Sequence, residues 1–260
     1  MIPDISKPLK KCLPMLLKAQ EDHVNEANTV AIIVKVFVDV FGYDQITEIT
    51  HEMSINDNFA DMAIKLDERI EFLVEAKAAD RHLKDKYIDQ AYKYASQSNI
   101  RWVLLTNGVQ WNLYHLTFEE GIEYDMAFSV DLTDGITDKT IESLTLLHKN
   151  SVKGKGLETF WQKLSALNPT SIAKALFTEK ALKFLRKEIH HNGKMLIDAE
   201  DLADSIYGML SEDTRVKMGP LKIHHAKKQS QKKINGSVPA TDETCPPVIG
   251  KSELTEHKGD

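Results

Sequence analysis

Asp61, Glu75 and Lys77 are residues of the types, and at the spacing, that can prepare a phosphodiester for attack by water. Glu75 and Lys77 stand two apart in Phe72-Leu73-Val74-Glu75-Ala76-Lys77, which reads as a strand. Their side chains therefore share one face, while Val74 and Ala76 point to the other. A carboxylate and an ammonium on an apolar strand cost free energy unless they have a task. Asp61, in Phe59-Ala60-Asp61-Met62-Ala63-Ile64, occupies the preceding strand-like run, and a hairpin between the two runs carries it toward Glu75. Two carboxylates and a lysine at one sheet edge make a site for Mg²⁺ or Mn²⁺ with a base or charge stabiliser beside it. The plainer alternative is a pair of solvated cross-strand charges, with Lys77 in a surface salt bridge worth at most ~1 kcal/mol.

The elements that must position these residues follow from periodicity and turn chemistry. Leu9, Leu13, Leu16 and Leu17 recur at helical spacing from Ile5 to Gln20, interrupted by Pro14. A second helix runs from Glu26 to Phe41 with an apolar face of Val30, Ile33, Val34, Phe37, Val38 and Phe41. Gly42 stands where a left-handed cap belongs. Strands are expected over Ile46–Met53, Asn58–Leu66 and Arg69–Ala78, the last two joined by Asp67-Glu68. A helix over Lys84–Ser98 follows, then strands Trp102–Thr106 and Val109–Leu116. Asn107-Gly108 between them is the favoured pair for a type I′ turn with two positive φ angles.

Five features occur in a telling order: Glu26 on the helix ahead of the strands, Asp61 and Glu75-x-Lys77, Gln90-Ala91-Tyr92-Lys93-Tyr94, Thr106-Asn107-Gly108, and Trp111-Asn112-Leu113-Tyr114. Together they resemble the PD-(D/E)xK nuclease superfamily, and within it the N-terminal nuclease domain of type I restriction enzyme R subunits and its free-standing relatives. Ala60 stands where that pattern has its leading proline, and the resemblance covers roughly residues 20 to 135. It implies an α-β-β-β-α-β core, a mixed sheet flanked by helices. It also implies Mg²⁺ or Mn²⁺ bound by Asp61, Glu75 and Glu26, with Lys77 and Gln90 completing the catalytic set. Gln90 and Tyr94, four apart on one helix face, would border the site. Tyr94, Lys93 and Arg81 would meet DNA, although each also fits a packed or solvated role.

Composition bounds the rest. A formal charge of −6 argues against a surface coated for indiscriminate nucleic-acid binding and leaves room for a local basic groove. No apolar run approaches a membrane span, no signal peptide opens the chain, and Cys12 and Cys245 lie too far apart for a disulfide framework. A reducing cytoplasm is the expected setting. Domains are expected at 1–135 (nuclease-like), 136–155 (linker and connecting helix, flexible near Ser151–Gly156), 156–221 (small all-helical domain, with helices near 156–167, 171–191 and 198–211) and 222–260 (basic, disordered tail). No G-x-x-x-x-G-K-[ST] occurs, so an ATP-driven motor is not expected. The expectation is a free-standing, metal-dependent DNA endonuclease of a restriction or DNA-defence system, paired as a homodimer or with restriction-modification or repair subunits. The alternative is a nuclease fold that is catalytically silent and serves DNA binding or regulation.

Overall fold

A computed structural model describes residues 3–55, 58–88, 95, 98–118 and 123–221. Its centre is a six-stranded open sheet in sequential order: β1 (Ile49–Ile55), β2 (Asn58–Leu66), β3 (Arg69–Ala76), β4 (Trp102–Thr106), β5 (Gln110–Thr117) and β6 (Glu123–Asp131). Neighbours are antiparallel except β3 and β4, whose parallel pairing needs a long crossover, the segment after Lys77. This is a mixed sheet flanked by helices and followed by a helical C-terminal region, as the motif order predicts.

Two helices, α1 (Ser6–Glu21) and α2 (Glu26–Asp39), cover one face of the sheet. Pro14 lies inside α1 without ending it. Its missing N–H costs the helix about 3 kcal/mol, against which Leu9, Cys12, Leu16 and Ala19 are buried in the core. At α2 the Asn25 side chain caps by accepting from the Asn28 amide at 3.0 Å, so the helix starts at Glu26. Phe37 on α2 and Phe41 just past its end meet the β5 residue Trp111 with ring centres 6.2 and 5.7 Å apart, and all three are fully buried. Gly42 ends this passage with φ +77°, the left-handed cap its position predicts.

The turns divide differently from the sequence expectation. Both Asp67 and Glu68 have positive φ, 48° and 63°, so the left-handed two-residue turn belongs to the β2–β3 hairpin. At the β4–β5 connection Gly108 alone is left-handed, at φ 93°. Asn107 does not take a positive φ, and its side chain shapes the turn: Oδ1 accepts from the Val109 and Gln110 amides at 3.1 and 2.7 Å. The strand β6 had no sequence signature, since Glu123, Asp125, Met126 and Ser129 leave much of it exposed.

After the sheet come α3 (Asp138–Thr145), α4 (Lys149–Lys153) and α5 (Gly156–Ala166). Ser151–Gly156, read as a flexible linker, is helix and turn, and Leu144, Leu147, Val152 and Leu157 are buried in the sheet's own core. The helix expected over 171–191 is divided into α6 (Pro169–Leu176) and α7 (Glu179–Gly193). Thr178 between them is extended and caps α7 by accepting from the Ala181 amide at 3.3 Å. With α8 (Ala199–Met209) and α9 (Glu212–Met218), these helices enclose a second core around Ala173, Phe177, Leu182, Leu202 and Ala203. No helix among the described residues is long and apolar enough to cross a membrane.

Candidate active site

The β2–β3 hairpin sets the site's register. Met62 pairs with Val74 and Ala63 with Leu73, so one step further along the strands Asp61 falls opposite Glu75. There the ladder changes character: the Ala76 amide donates to Asp61 Oδ2 at 2.7 Å, a side chain taking the place of a backbone carbonyl. Val74 and Ala76 face the main core, and Glu75 and Lys77 lie on the other side, as alternation requires. Lys77 follows β3 directly, and its amide donates to the Thr106 carbonyl at 2.9 Å, which holds the end of β3 against β4.

Glu75 is only 3% exposed. Its Oε1 accepts from Lys77 Nζ at 2.7 Å, while its Oε2, equally buried, has no hydrogen-bond partner among the described residues. Lys77 Nζ also lies 3.4 Å from Glu26 Oε1, which reaches in from the first turn of α2. Burial, joined by the charge of Asp61, pushes Glu75 up to about 7 against the opposing pull of Lys77. Burial also raises Asp61, more than the Ala76 amide and Lys77 lower it. For Lys77 burial acts downward, but the hydrogen bond and charge of Glu75, with Glu26 and Asp61, leave its net shift upward, so it stays an ammonium.

A buried carboxylate poised near neutrality, facing a second carboxylate and carrying one unpartnered oxygen, takes either a proton or a cation. Among the described residues no group of three or more His, Cys, Asp or Glu is gathered as a metal cage. Mg²⁺ does not require one, because it keeps several waters and binds through one or two carboxylates. Asp61 and Glu75 therefore fit it; Glu26 is turned to Lys77 and reaches the site through that ammonium.

Asp61, Glu75, Lys77 and Glu26 thus converge. Gln90, Lys93 and Tyr94 lie outside the described residues. Arg81 is exposed on the segment that leaves β3. Two neighbours escaped the sequence reading: His51 and Glu52 on β1 line an open cleft with Glu26, Ala27, Val30 and Asp61. The β1–β2 register, His51 with Met62 and Met53 with Ala60, sets Glu52 across from Asp61. Glu52 has φ 46°, an uncommon conformation for a non-glycine residue in a strand. No motif spacing signals it; only the register does.

Residues 31–126 match the family model of the type I restriction enzyme R protein N terminus. The matched segment runs from within α2 into β6 and includes Asp61, Glu75 and Lys77, whereas Glu26 precedes it. The family read from the ordered motifs and the family matched by the segment agree. No curated protein and no solved structure matches the chain.

Proposed function

We propose that the protein is a metal-dependent DNA endonuclease of a restriction or DNA-defence system, hydrolysing phosphodiester bonds at Asp61, Glu75 and Lys77. The observation that carries this reading is Glu75, a carboxylate 3% exposed, with one oxygen on Lys77, the other without a partner among the described residues, and Asp61 in register opposite. The match to a restriction R-protein N terminus over residues 31–126 supports it.

Asp61 and Glu75 would hold Mg²⁺ or Mn²⁺, which when bound polarises a phosphoryl oxygen and acidifies a coordinated water. Lys77, kept charged by Glu75 and Glu26, is placed to orient a water or to offset negative charge gathering on the phosphoryl group. Glu26 helps to fix the ammonium's direction as well as its charge. Gln90, on the expected helix bordering the site, remains part of the proposed catalytic set, with Tyr94, Lys93 and Arg81 toward DNA. Restriction-modification or repair subunits, or a second copy of the chain, are the protein partners this reading expects.

The test is calorimetric titration of Mg²⁺ and Mn²⁺ into wild type and Glu75→Ala, with both assayed on supercoiled and linear DNA. Metal binding and chelator-sensitive cleavage should appear in the wild type and vanish in Glu75→Ala. Cleavage retained by a nuclease-free preparation of Glu75→Ala ends the proposal. A second reading, a silent nuclease fold that binds DNA, draws on the pinning of Lys77 by two carboxylates at 2.7 and 3.4 Å. It expects DNA affinity with no metal-dependent turnover.

A further inference from the structure

We infer that the segment Ala78–Tyr87, which leaves β3 immediately after Lys77, is a preformed contact surface for the phosphate backbone of DNA, held in place by Asn107 and Gln110. The inference rests on the nuclease reading only for the identity of the polyanion.

Charge is the first observation. Arg81, His82, Lys84 and Lys86 are all exposed along this segment. Unpaired lysines occur elsewhere on the surface too, on α7 for example, but these cations stand next to Lys77 on the chain. Arg81, Lys84 and Lys86 form no ion pair among the described residues. Of the acids in the run, Asp80 is turned away to His23 Nδ1 at 2.8 Å. Asp85 is the remaining acid in the run.

Placement is the second. The ammonium groups of Lys77 and Lys86 lie 5.9 and 5.5 Å from the centre of the same Tyr87 ring, so the segment stands at the rim of the site. The cleft on the α2 side carries the carboxylates of Glu26, Glu52 and Asp61, with His51, and among the described residues no lysine or arginine lines it. A polyanion reaching Glu75 is repelled from that side and drawn from this one.

Rigidity is the third, and it separates the segment from an ordinary solvated loop. The Arg81 carbonyl accepts from Asn107 Nδ2 at 2.9 Å, and the Leu83 amide donates to Gln110 Oε1 at 3.3 Å. Gln110 Nε2 in turn donates to Asp131 Oδ2 at 2.8 Å, and the Ala79 amide donates to the Val24 carbonyl at 3.0 Å. Asn107 itself is 2% exposed. Cations fixed in advance lose less entropy on meeting phosphates than free side chains on a mobile loop. Backbone contact of this kind positions the duplex and reads no sequence.

The experiment measures binding of a short fluorescein-labelled DNA duplex by anisotropy across a salt series, in a Glu75→Gln background so that nothing is cut. Replacing Arg81, Lys84 and Lys86 together by Gln should weaken binding at least about tenfold and lower the salt slope by roughly 2 to 3, near 0.9 per phosphate contact. Gln110→Ala, which removes a tether and no charge, should weaken binding with the slope unchanged. Replacing the exposed Lys180, Lys183 and Lys187 of α7 by Gln, the same change in net charge, should leave binding as it was. A triple loop variant that binds like its parent, an α7 variant that loses as much, or a parent that does not bind the duplex overturns the inference. Cleavage by the otherwise wild-type protein is scored separately. A loop variant that binds and cuts normally therefore sinks this surface alone, while lost binding without any wild-type cleavage sinks the nuclease reading alone.

Discussion

At the residue scale the site depends on one short contact, Lys77 Nζ to Glu75 Oε1 at 2.7 Å. Lys77→Met keeps most of the side chain's apolar stem and removes the donor, leaving both oxygens of a buried carboxylate without a partner. Leaving a buried charge unpaired costs about 3 kcal/mol. Urea unfolding at pH 8, where Glu75 is ionised, should register that loss, and metal-dependent cleavage should fall through kcat with little change in KM. A variant that cuts at the wild-type rate removes Lys77 from the chemistry. The pairing of Glu75 with Lys77 was legible because strand alternation is rigid: two residues apart means one face. Asp61 was legible because the hairpin turn is short. Glu26 was legible as a neighbour of the site, but its partner was not: a helix start ahead of the strands does not say whether the carboxylate meets a cation or an ammonium. Glu52 was hidden because its position opposite Asp61 follows from β1 register, which no local pattern fixes.

At the element scale, α5 is fastened to the sheet through an imidazole. His115 of β5 stacks on Trp161 of α5 with centroids 4.3 Å apart and planes at 19°, and Trp102 of β4 meets its edge at 4.8 Å. Burial, with Arg101 adding its charge, brings His115 down to about 4. In the unfolded chain it titrates near about 6.5, so between these values the unfolded state binds the proton more readily. Its contribution to stability is therefore intact above about pH 6.5 and is lost as the pH falls toward 4, on the order of 3 kcal/mol in all. His115→Phe keeps the ring stack and should flatten this acid limb, read as urea midpoints at pH 7 and pH 4.5. An unchanged limb would show that other groups set it. Element existence was readable from period and caps, but turn type was less so. Asp67-Glu68 adopts the left-handed pair that Asn107-Gly108 advertises, while Asn107 spends its side chain on Val109, Gln110 and Arg81.

At the scale of the whole molecule, the main core of the sheet and the core of the C-terminal helices are separate clusters among the described residues. The first joins α1, α2, the sheet and the helices through Leu157; the second is closed by α6 to α9 around Phe177. Phe177→Ala removes a side chain 1% exposed from the smaller core, a loss of about 3 to 5 kcal/mol. Calorimetric unfolding should show the C-terminal helices melting at a lower temperature while metal binding at Asp61 and Glu75 persists. A single, uniformly lowered transition with metal binding lost would mean that the cores unfold as one. The change from sheet to helices was visible in the sequence. Where the first core ends was not, since Val152 and Leu157 lie beside Gly154 and Gly156, residues that locally resemble a linker.

The Ala76 amide, which ends its ladder on a carboxylate instead of a carbonyl, makes the site self-reporting. Its proton resonance and its exchange with deuterated solvent depend on how much electron density Asp61 returns to that bond. Whatever draws on Asp61, whether a proton, an ion or a displaced neighbour, is written into a backbone nucleus. Occupancy of this sheet edge can therefore be followed spectroscopically with every side chain left as it is.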